Sequence, residues 1–211
     1  MPYDYIVNHI PLTAPSNRRP GIKMEPEYIT IHSTGNMASN ALGERNWLLN
    51  AKENTRTASW HICVDEKQAI EAIPLNEVAW HAGDGRGPGN MKSISIEICE
   101  SGDRGLTLQN AAELVAKLLH ERKWNIDRVK QHYDWSGKNC PRILRDTGKW
   151  PEFLSMVRSE LEKLQNPPHW AQKYYDFLTI EKGIPIHDKR FDDVITRGEV
   201  FALLARILGY K

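Results

Sequence analysis

The stretch Ser93-Ile94-Ser95-Ile96-Glu97-Ile98-Cys99 is the clearest strand pattern in this chain of 211 residues. Its isoleucines alternate with small or polar residues, so one face of the strand is apolar and the other is not. The same alternation occurs in Tyr28-Ile29-Thr30-Ile31-His32, where His32 points away from the isoleucines. Shorter strand-like runs lie at 60–64, 69–73 and 126–131.

Helical spacing of apolar residues separates these strands. It occurs at about 39–52, from an expected N-cap at Thr107 to about Lys123, and at about 152–164. Strands interleaved with helices predict an α/β fold with a mixed central β-sheet flanked by helices. Residues 1–27, which are rich in proline, are expected to be irregular.

A change in composition near residue 165 predicts a second, smaller domain. Gln165-Asn166-Pro167-Pro168 is a linker signal, which makes 1–164 the first domain and 169–211 a small two-helix C-terminal domain. The second helix begins with a capping box formed by Thr196 and Glu199. Because roughly 45 residues cannot bury a large core alone, this piece should pack on the first domain, another chain or a polymer ligand.

Composition limits the classes of partner. The net charge is +1, with 40% hydrophobic and 26% charged residues, so nothing favours nucleic acid or a membrane surface. No run reaches the roughly 18 apolar residues of a membrane span, and the N-terminus lacks the regions of a signal peptide. Three cysteines are too few for a disulfide framework. We expect synthesis in the cytoplasm without membrane insertion.

The segment Gln131-His132-Tyr133-Asp134-Trp135-Ser136-Gly137-Lys138-Asn139-Cys140-Pro141 collects chemically useful groups in one turn-rich loop. Imidazole nitrogen and thiolate sulfur suit Zn²⁺. Two protein ligands are too few for a catalytic zinc, and His32, at the end of its strand, is the best third candidate. The set His32, His132 and Cys140 leaves a fourth tetrahedral position for water, as in catalytic sites. The pattern predicts a zinc hydrolase.

Each of these residues also has an ordinary structural alternative. A lone histidine is commonly a core residue bonded to a backbone carbonyl, and a lone cysteine is commonly an inert buried thiol. Glu97 is either an ion-paired carboxylate or a general base. Lys138 is either a solvated loop side chain or a group that stabilises a developing oxyanion. The joint placement of His32, His132 and Cys140 at strand or loop ends favours the chemical interpretation for these three residues.

Taken together, these residues make the chain resemble the type 2 family of N-acetylmuramoyl-L-alanine amidases. This family includes phage lysozyme-like amidases, Bacillus prophage endolysins and peptidoglycan recognition proteins. The resemblance covers roughly residues 5–164. It rests on several blocks in order: Arg19-Pro20-Gly21, Ile29-Thr30-Ile31-His32, Ser59-Trp60-His61, Trp80-His81-Ala82-Gly83-Asp84-Gly85, Ser95-Ile96-Glu97-Ile98-Cys99 and the segment from His132 to Cys140.

The resemblance implies roles for the residues already singled out. It implies zinc on His32, His132 and Cys140. Glu97 matches the family's catalytic glutamate and Lys138 its transition-state lysine. The implied reaction is zinc-dependent hydrolysis of the amide bond between N-acetylmuramic acid and L-alanine.

Three further residues are implied to contact substrate. The resemblance places His81 and Asn90 near the bound glycan-peptide. At Trp60 many relatives carry a tyrosine whose hydroxyl reaches the active site. An indole can donate a hydrogen bond there but cannot act as a phenol.

The tail at 169–211 resembles a single S-layer homology repeat. Such repeats usually occur in threes and bind secondary cell-wall polymers of Gram-positive bacteria. The resemblance implies a cell-wall-binding or oligomerisation module, and a homo-oligomer would supply the missing repeats. The matching residues are His169-Trp170-Ala171, Gly183-Ile184, Phe191, Ile195-Thr196-Arg197-Gly198-Glu199 and Leu203-Leu204-Ala205-Arg206.

The two resemblances together favour a phage endolysin that degrades Gram-positive peptidoglycan. It would be made in the host cytoplasm without a signal peptide and act on the wall after release. A host autolysin with the same activity is one alternative. A non-catalytic peptidoglycan-binding protein is another, although such members typically lose the ligand found here at Cys140. A metal-independent cysteine peptidase using Cys140 and His132 is a third.

Overall fold

The computed structural model describes residues 3–53, 55–184, 186, 189 and 191–209. By its internal contacts the chain divides into two compact units, Met1–Asn166 and Pro167–Lys211. The described helices include none with the combination of length and apolar character that crossing a bilayer demands.

A six-stranded mixed sheet forms the centre of the first unit. The strand order is β1-β4-β3-β5-β2-β6, and β3 and β4 form its antiparallel pair while the other neighbours run parallel. This architecture confirms the predicted fold class. The strands are β1 (Asp4–Val7), β2 (Tyr28–Ser33), β3 (Ile62–Val64), β4 (Gln68–Glu71), β5 (Ser93–Ile98) and β6 (Val129–Gln131).

Six helices accompany the sheet in the described part of this unit. The longest, α3, is capped at its N-terminus by Asp103, whose side chain accepts from the Leu106 amide. The expected cap at Thr107 was wrong, because Thr107 is already helical and donates its hydroxyl hydrogen to the Asp103 carbonyl. The helices are α1 (Ala41–Trp47), α2 (Pro88–Met91), α3 (Arg104–Arg122), α4 (Tyr133–Ser136), α5 (Arg142–Asp146) and α6 (Trp150–Gln165).

The N-terminal segment contains a strand that the sequence analysis missed. β1 pairs in parallel with β4 at the edge of the sheet. Its side chains are largely exposed, with Ile6 at 39% and Val7 at 60%, so no alternation of buried and exposed residues marks it. An edge strand therefore lay inside a segment that proline content alone labelled as irregular.

The two faces of the sheet differ. One face packs its isoleucines from β2 and β5 against α3 and α6, in a cluster that includes Phe153 and Val157. The other face carries a smaller apolar cluster that includes Ile10, Leu48 and Cys63. Because the second cluster is small, the carboxyl ends of the central strands on this face are free to carry polar side chains.

The second unit is helical. α7 (Gln172–Asp176) continues as a π-helical turn at Phe177–Glu181, and α8 (Arg197–Ile207) follows. The predicted capping box of α8 is confirmed: Thr196 accepts from the Glu199 amide, and the Glu199 carboxylate accepts from the Thr196 amide. No described residue from 167 to 209 is buried.

Candidate active site

The site begins where the two central parallel strands end. In the register of β2 and β5, His32 is the direct partner of Glu97. β6, on the other side of β2, leads into His132, whose amide donates to the Ile31 carbonyl at 3.3 Å. Because parallel strands end at one edge of a sheet, three segments distant in sequence deliver their side chains to one place.

A tight turn returns the chain to this place. Gly137 ends α4 with φ of +74°, a left-handed conformation that glycine adopts without strain. The chain then reverses, and the Tyr133 amide donates to the Cys140 carbonyl at 3.1 Å. This closure brings the Cys140 thiol back beside His132.

His32, His132 and Cys140 are all buried and converge. Their potential ligand atoms lie within 4.8 Å of one another. The Nδ1 atoms of the two histidines are 3.1 Å apart, and the Cys140 Sγ is 3.8 Å from the His32 Nδ1. In a tetrahedral zinc site with ordinary bond lengths, ligand atoms are roughly 3.3–3.6 Å apart. Both the types of donor atom and their spacing therefore fit Zn²⁺.

The buried setting keeps both imidazoles neutral. Burial, reinforced by His81 and His132, holds the pKa of His32 well below its usual value. Burial, with the Lys138 ammonium, lowers the pKa of His132 to about 4. Neutral imidazole is the form that coordinates a metal. Burial, with the Glu97 carboxylate, raises the pKa of the Cys140 thiol to about 11.

Glu97 faces the same three residues. Its Oε1 is 4.0 Å from the His32 Nδ1, and its buried Oε2 has no hydrogen-bond partner among the described residues. Burial, together with the Glu44 carboxylate, raises the pKa of Glu97 to about 8, and the Lys138 ammonium opposes that rise. A buried carboxylate oxygen without a partner is costly, so it marks a position that a ligand completes.

An open cleft of about 350 Å³ gives access to these groups. Lys138, itself exposed, lines its wall, as do His32, Glu97 and Cys140. A second cavity of about 610 Å³ shares Lys138 and His132 with the first, so the two adjoin.

Trp60 forms part of the cleft wall. Its ring stacks on Trp47 with centroids 5.6 Å apart. The Trp60 Nε1 is buried and without a hydrogen-bond partner in the described part of the chain, as is the Oγ1 of Thr34. Both residues line the cleft with Glu97. Three unpartnered polar atoms at one cleft indicate a polar ligand.

His81 lines the cleft, and Asn90 lines the adjoining cavity. Both side chains also bond to the protein itself. The Asn90 Oδ1 accepts from the His81 and Ala82 amides, both at 2.8 Å, and its Nδ2 donates to the Gly85 carbonyl. The His81 Nδ1 is 3.1 Å from the His32 Nε2. Their predicted contact with substrate remains a prediction, whereas their contacts behind His32 are part of the fold.

Two residues near the site were missed by sequence reasoning. Arg18 is completely buried, and its Nη1 donates to the carbonyls of Trp47, Leu48 and Asn50 at 3.1–3.2 Å. Its guanidinium also lies over the Trp47 ring. Glu44, on α1, lines the cleft. Neither residue stands in a recognisable motif, and only the tertiary structure brings it to the site.

The comparison with protein families agrees with this geometry. The family model described as N-acetylmuramoyl-L-alanine amidase matches residues 22–143. That range contains the three converging residues, Glu97 and Lys138.

The chain is also similar to individual amidases and endolysins, both in sequence and in solved structure. N-acetylmuramoyl-L-alanine amidase CwlA of Bacillus subtilis is 47% identical over 146 residues, which cover 67% of this chain and 52% of CwlA. The catalytic domain of XlyA is 42% identical, with a TM-score of 0.67, and the match covers 73% of this chain and 99% of that domain. A mutant endolysin from Bacillus subtilis is also 42% identical, with a TM-score of 0.68 and coverages of 74% and 99%. The chain spans about half the length of the curated Bacillus subtilis relatives that it matches.

Proposed function

Because the chain belongs to the N-acetylmuramoyl-L-alanine amidase family, we propose that it cleaves the amide bond between N-acetylmuramic acid and L-alanine in peptidoglycan. The observation that carries the proposal is the convergence of His32, His132 and Cys140 beside Glu97, whose buried Oε2 has no partner among the described residues. In peptidoglycan the lactyl carbonyl of muramic acid is joined by an amide bond to the L-alanine nitrogen, and this carbonyl is the group that such a site would attack.

The three converging residues would hold Zn²⁺. Two neutral imidazoles and one thiolate provide the nitrogen and sulfur donors that zinc prefers, and a His₂Cys set is typical of a catalytic site. Bound zinc would supply Lewis acidity at the carbonyl and make water a stronger acid. The spacing of the Nδ1 and Sγ atoms supports this assignment.

Glu97 would move the proton. Its Oε2 accepts a proton from the attacking water, and the same carboxyl then gives the proton to the leaving L-alanine nitrogen. A carboxyl whose pKa is raised to about 8 holds and releases a proton near neutral pH more readily than an ordinary glutamate. Burial in the cleft thus supports a general acid–base role.

Lys138 and the cleft wall would act on the substrate. The Lys138 ammonium stabilises negative charge on the carbonyl oxygen in the tetrahedral transition state. The Trp60 indole N–H and the Thr34 hydroxyl can donate hydrogen bonds to the glycan-peptide, since neither has another partner in the described structure. Trp60 thereby takes the place of the tyrosine found in many relatives.

The biological setting that we propose is a phage or prophage endolysin acting on Gram-positive walls. Similarity to the amidase CwlA of Bacillus subtilis and to a mutant endolysin from the same species supports this setting. A host autolysin of the same activity is the alternative. The two differ in when the protein is made, so expression confined to phage induction would support the endolysin.

For residues 169–211 we keep the S-layer-homology-like module as a proposal, with secondary cell-wall polymer as its ligand. The exposed side chains of Trp170, Phe201 and Leu204 support a role of this unit in binding a ligand. The full chain should sediment with walls that retain the polymer and less with walls stripped of it by acid. Equal sedimentation would contradict polymer binding, and light scattering on the same sample would test a homo-oligomer.

Digestion of purified peptidoglycan tests the main proposal. We expect new L-alanine amino termini without new reducing sugars, loss of activity with a chelator, and recovery with Zn²⁺. Activity that survives the chelator would favour the cysteine peptidase. No new ends, with the protein still bound to the wall, would favour the non-catalytic binding protein.

A further inference from the structure

A chain of hydrogen bonds runs behind the metal-binding side of His32. The His32 Nε2 faces the His81 Nδ1 at 3.1 Å, and the His81 Nε2 faces the Ser93 carbonyl oxygen at 3.3 Å. All three groups are buried. We propose that His81 is a positioning residue that fixes the tautomer and ring orientation of His32 for metal binding. The inference rests on the proposed zinc site.

The backbone carbonyl decides the direction of every hydrogen bond in this chain. A carbonyl oxygen can only accept, so the His81 Nε2 must carry the hydrogen. In a neutral imidazole the other nitrogen, Nδ1, is then an acceptor, and it can only pair with an N–H from His32. The His32 hydrogen therefore lies on Nε2, and its Nδ1 presents a bare lone pair.

The same logic applies to the second histidine ligand. The backbone carbonyl of Ala82 faces the His132 ring as a hydrogen-bond acceptor. The Nδ1 is the atom that faces His32, so the donor is Nε2 and the Nδ1 carries a second lone pair. Two lone pairs 3.1 Å apart repel each other unless a cation lies between them. The carbonyls of Ser93 and Ala82 thus leave the Nδ1 lone pairs of both imidazoles available to a metal.

The Asn90 side chain holds the backbone of both His81 and Ala82. Its Oδ1 accepts from the His81 amide and from the Ala82 amide, each at 2.8 Å. Asp84 in turn accepts from the Asn90 amide at 3.1 Å. One amide side chain therefore fixes the backbone on which the His81 ring and the Ala82 carbonyl are carried. This arrangement gives His81 and Asn90 a role that does not require contact with substrate.

Two substitutions of His81 separate the two hydrogen bonds. In His81→Asn the amide oxygen can take the place of Nδ1 and accept from His32. In His81→Gln the amide nitrogen can take the place of Nε2 and donate to the Ser93 carbonyl, while nothing accepts from His32. His61→Asn is the matched control, because His61 is also buried but its ring bonds to Ser95 and the Glu77 carbonyl rather than to His32.

Zinc affinity, measured by competition with a chromophoric chelator, is the first readout. We expect His81→Gln to bind zinc about 10–100-fold more weakly than wild type, and His81→Asn and the His61 control to stay within a few-fold. Wild-type affinity in His81→Gln would overturn the proposal. So would equal losses in both His81 variants, which would indicate packing alone.

The tautomer of His32 in the metal-free protein is the second readout. Two-bond ¹⁵N–¹H correlation spectra of the wild type in chelator should show the hydrogen on Nε2. A hydrogen on Nδ1 would overturn the proposal without any variant having to fold. A wild type with the expected tautomer but no measurable zinc affinity would instead contradict the proposed function.

Discussion

The two units of this chain use apolar residues in opposite ways. In the first unit, β5 and its neighbours bury isoleucines on one face and polar side chains on the other. In the second unit, Phe201 is 68% exposed and Leu208 85% exposed, and no described residue from 167 to 209 is buried. Chain length is the physical reason, because about 45 residues have too much surface for their volume.

This difference indicates which of the two units can hold a buried reactive group. A buried, unpartnered carboxylate oxygen such as the Glu97 Oε2 persists only when a large core compensates for its desolvation. The first unit has such a core, and the described residues of the second unit do not form one. We therefore expect substitutions in the first unit to change turnover or stability strongly, and equivalent substitutions in the second unit to leave stability nearly unchanged.

The largest effect is expected for Glu97→Gln. Glutamine keeps the size of the side chain but cannot transfer a proton, so turnover should fall by about 10²–10⁴-fold. Zinc content, measured by atomic absorption, should stay near that of the wild type. Turnover within tenfold of wild type would rule out the proton-transfer role.

A pair of phenylalanines tests the difference in packing directly. Phe153 is 1% exposed and Phe201 is 68% exposed. Phe153→Ala should lower the free energy of unfolding by about 3–5 kcal/mol, and Phe201→Ala should change it by less than about 0.5 kcal/mol. Urea unfolding followed by circular dichroism measures both. A large effect at Phe201 would mean that the second unit is buried in the protein's working form.

Lys138→Met should have the next largest effect, a loss of turnover. Loss of one electrostatic partner of a developing oxyanion typically lowers kcat by about 10²–10³-fold. Lys67→Met, at a strongly exposed lysine outside the cleft, should leave kcat unchanged. If the two variants have the same kcat on purified peptidoglycan, Lys138 is only a solvated side chain.

The smallest expected effect concerns pH and stability. The hydrogen bonds from Arg19 and Lys23 hold the pKa of Glu77 below its usual value of 4.5. A lowered pKa in the folded state stabilises the protein above the usual value, and this contribution is lost as pH falls through the lowered one. Glu77→Gln should therefore be about 1–3 kcal/mol less stable at pH 7, with the difference shrinking in acid. A difference that is constant from pH 7 to pH 3 would contradict this origin.

Sequence patterns recovered the elements with strong periodicity. The alternation in β2 and β5 predicted both strands and the polar face that carries His32 and Glu97. The capping box predicted the start of α8. β1 was missed because an exposed edge strand has no buried face, and the N-cap of α3 was misplaced because Asp103 and Thr107 both suit such a position.

The sequence by itself determined the kinds of chemical group available: an imidazole at the end of a patterned strand, a carboxylate on the polar face of another, and an imidazole and a thiol in one turn-rich loop. It also determined that the last residues could not form a core of their own. Only the tertiary structure decided that His81 stands behind His32, that Glu44 lines the cleft, and that Arg18 bonds to the backbone of Trp47, which also lines it. These contacts join residues far apart in the chain. They follow from strand order and register, which local periodicity does not encode.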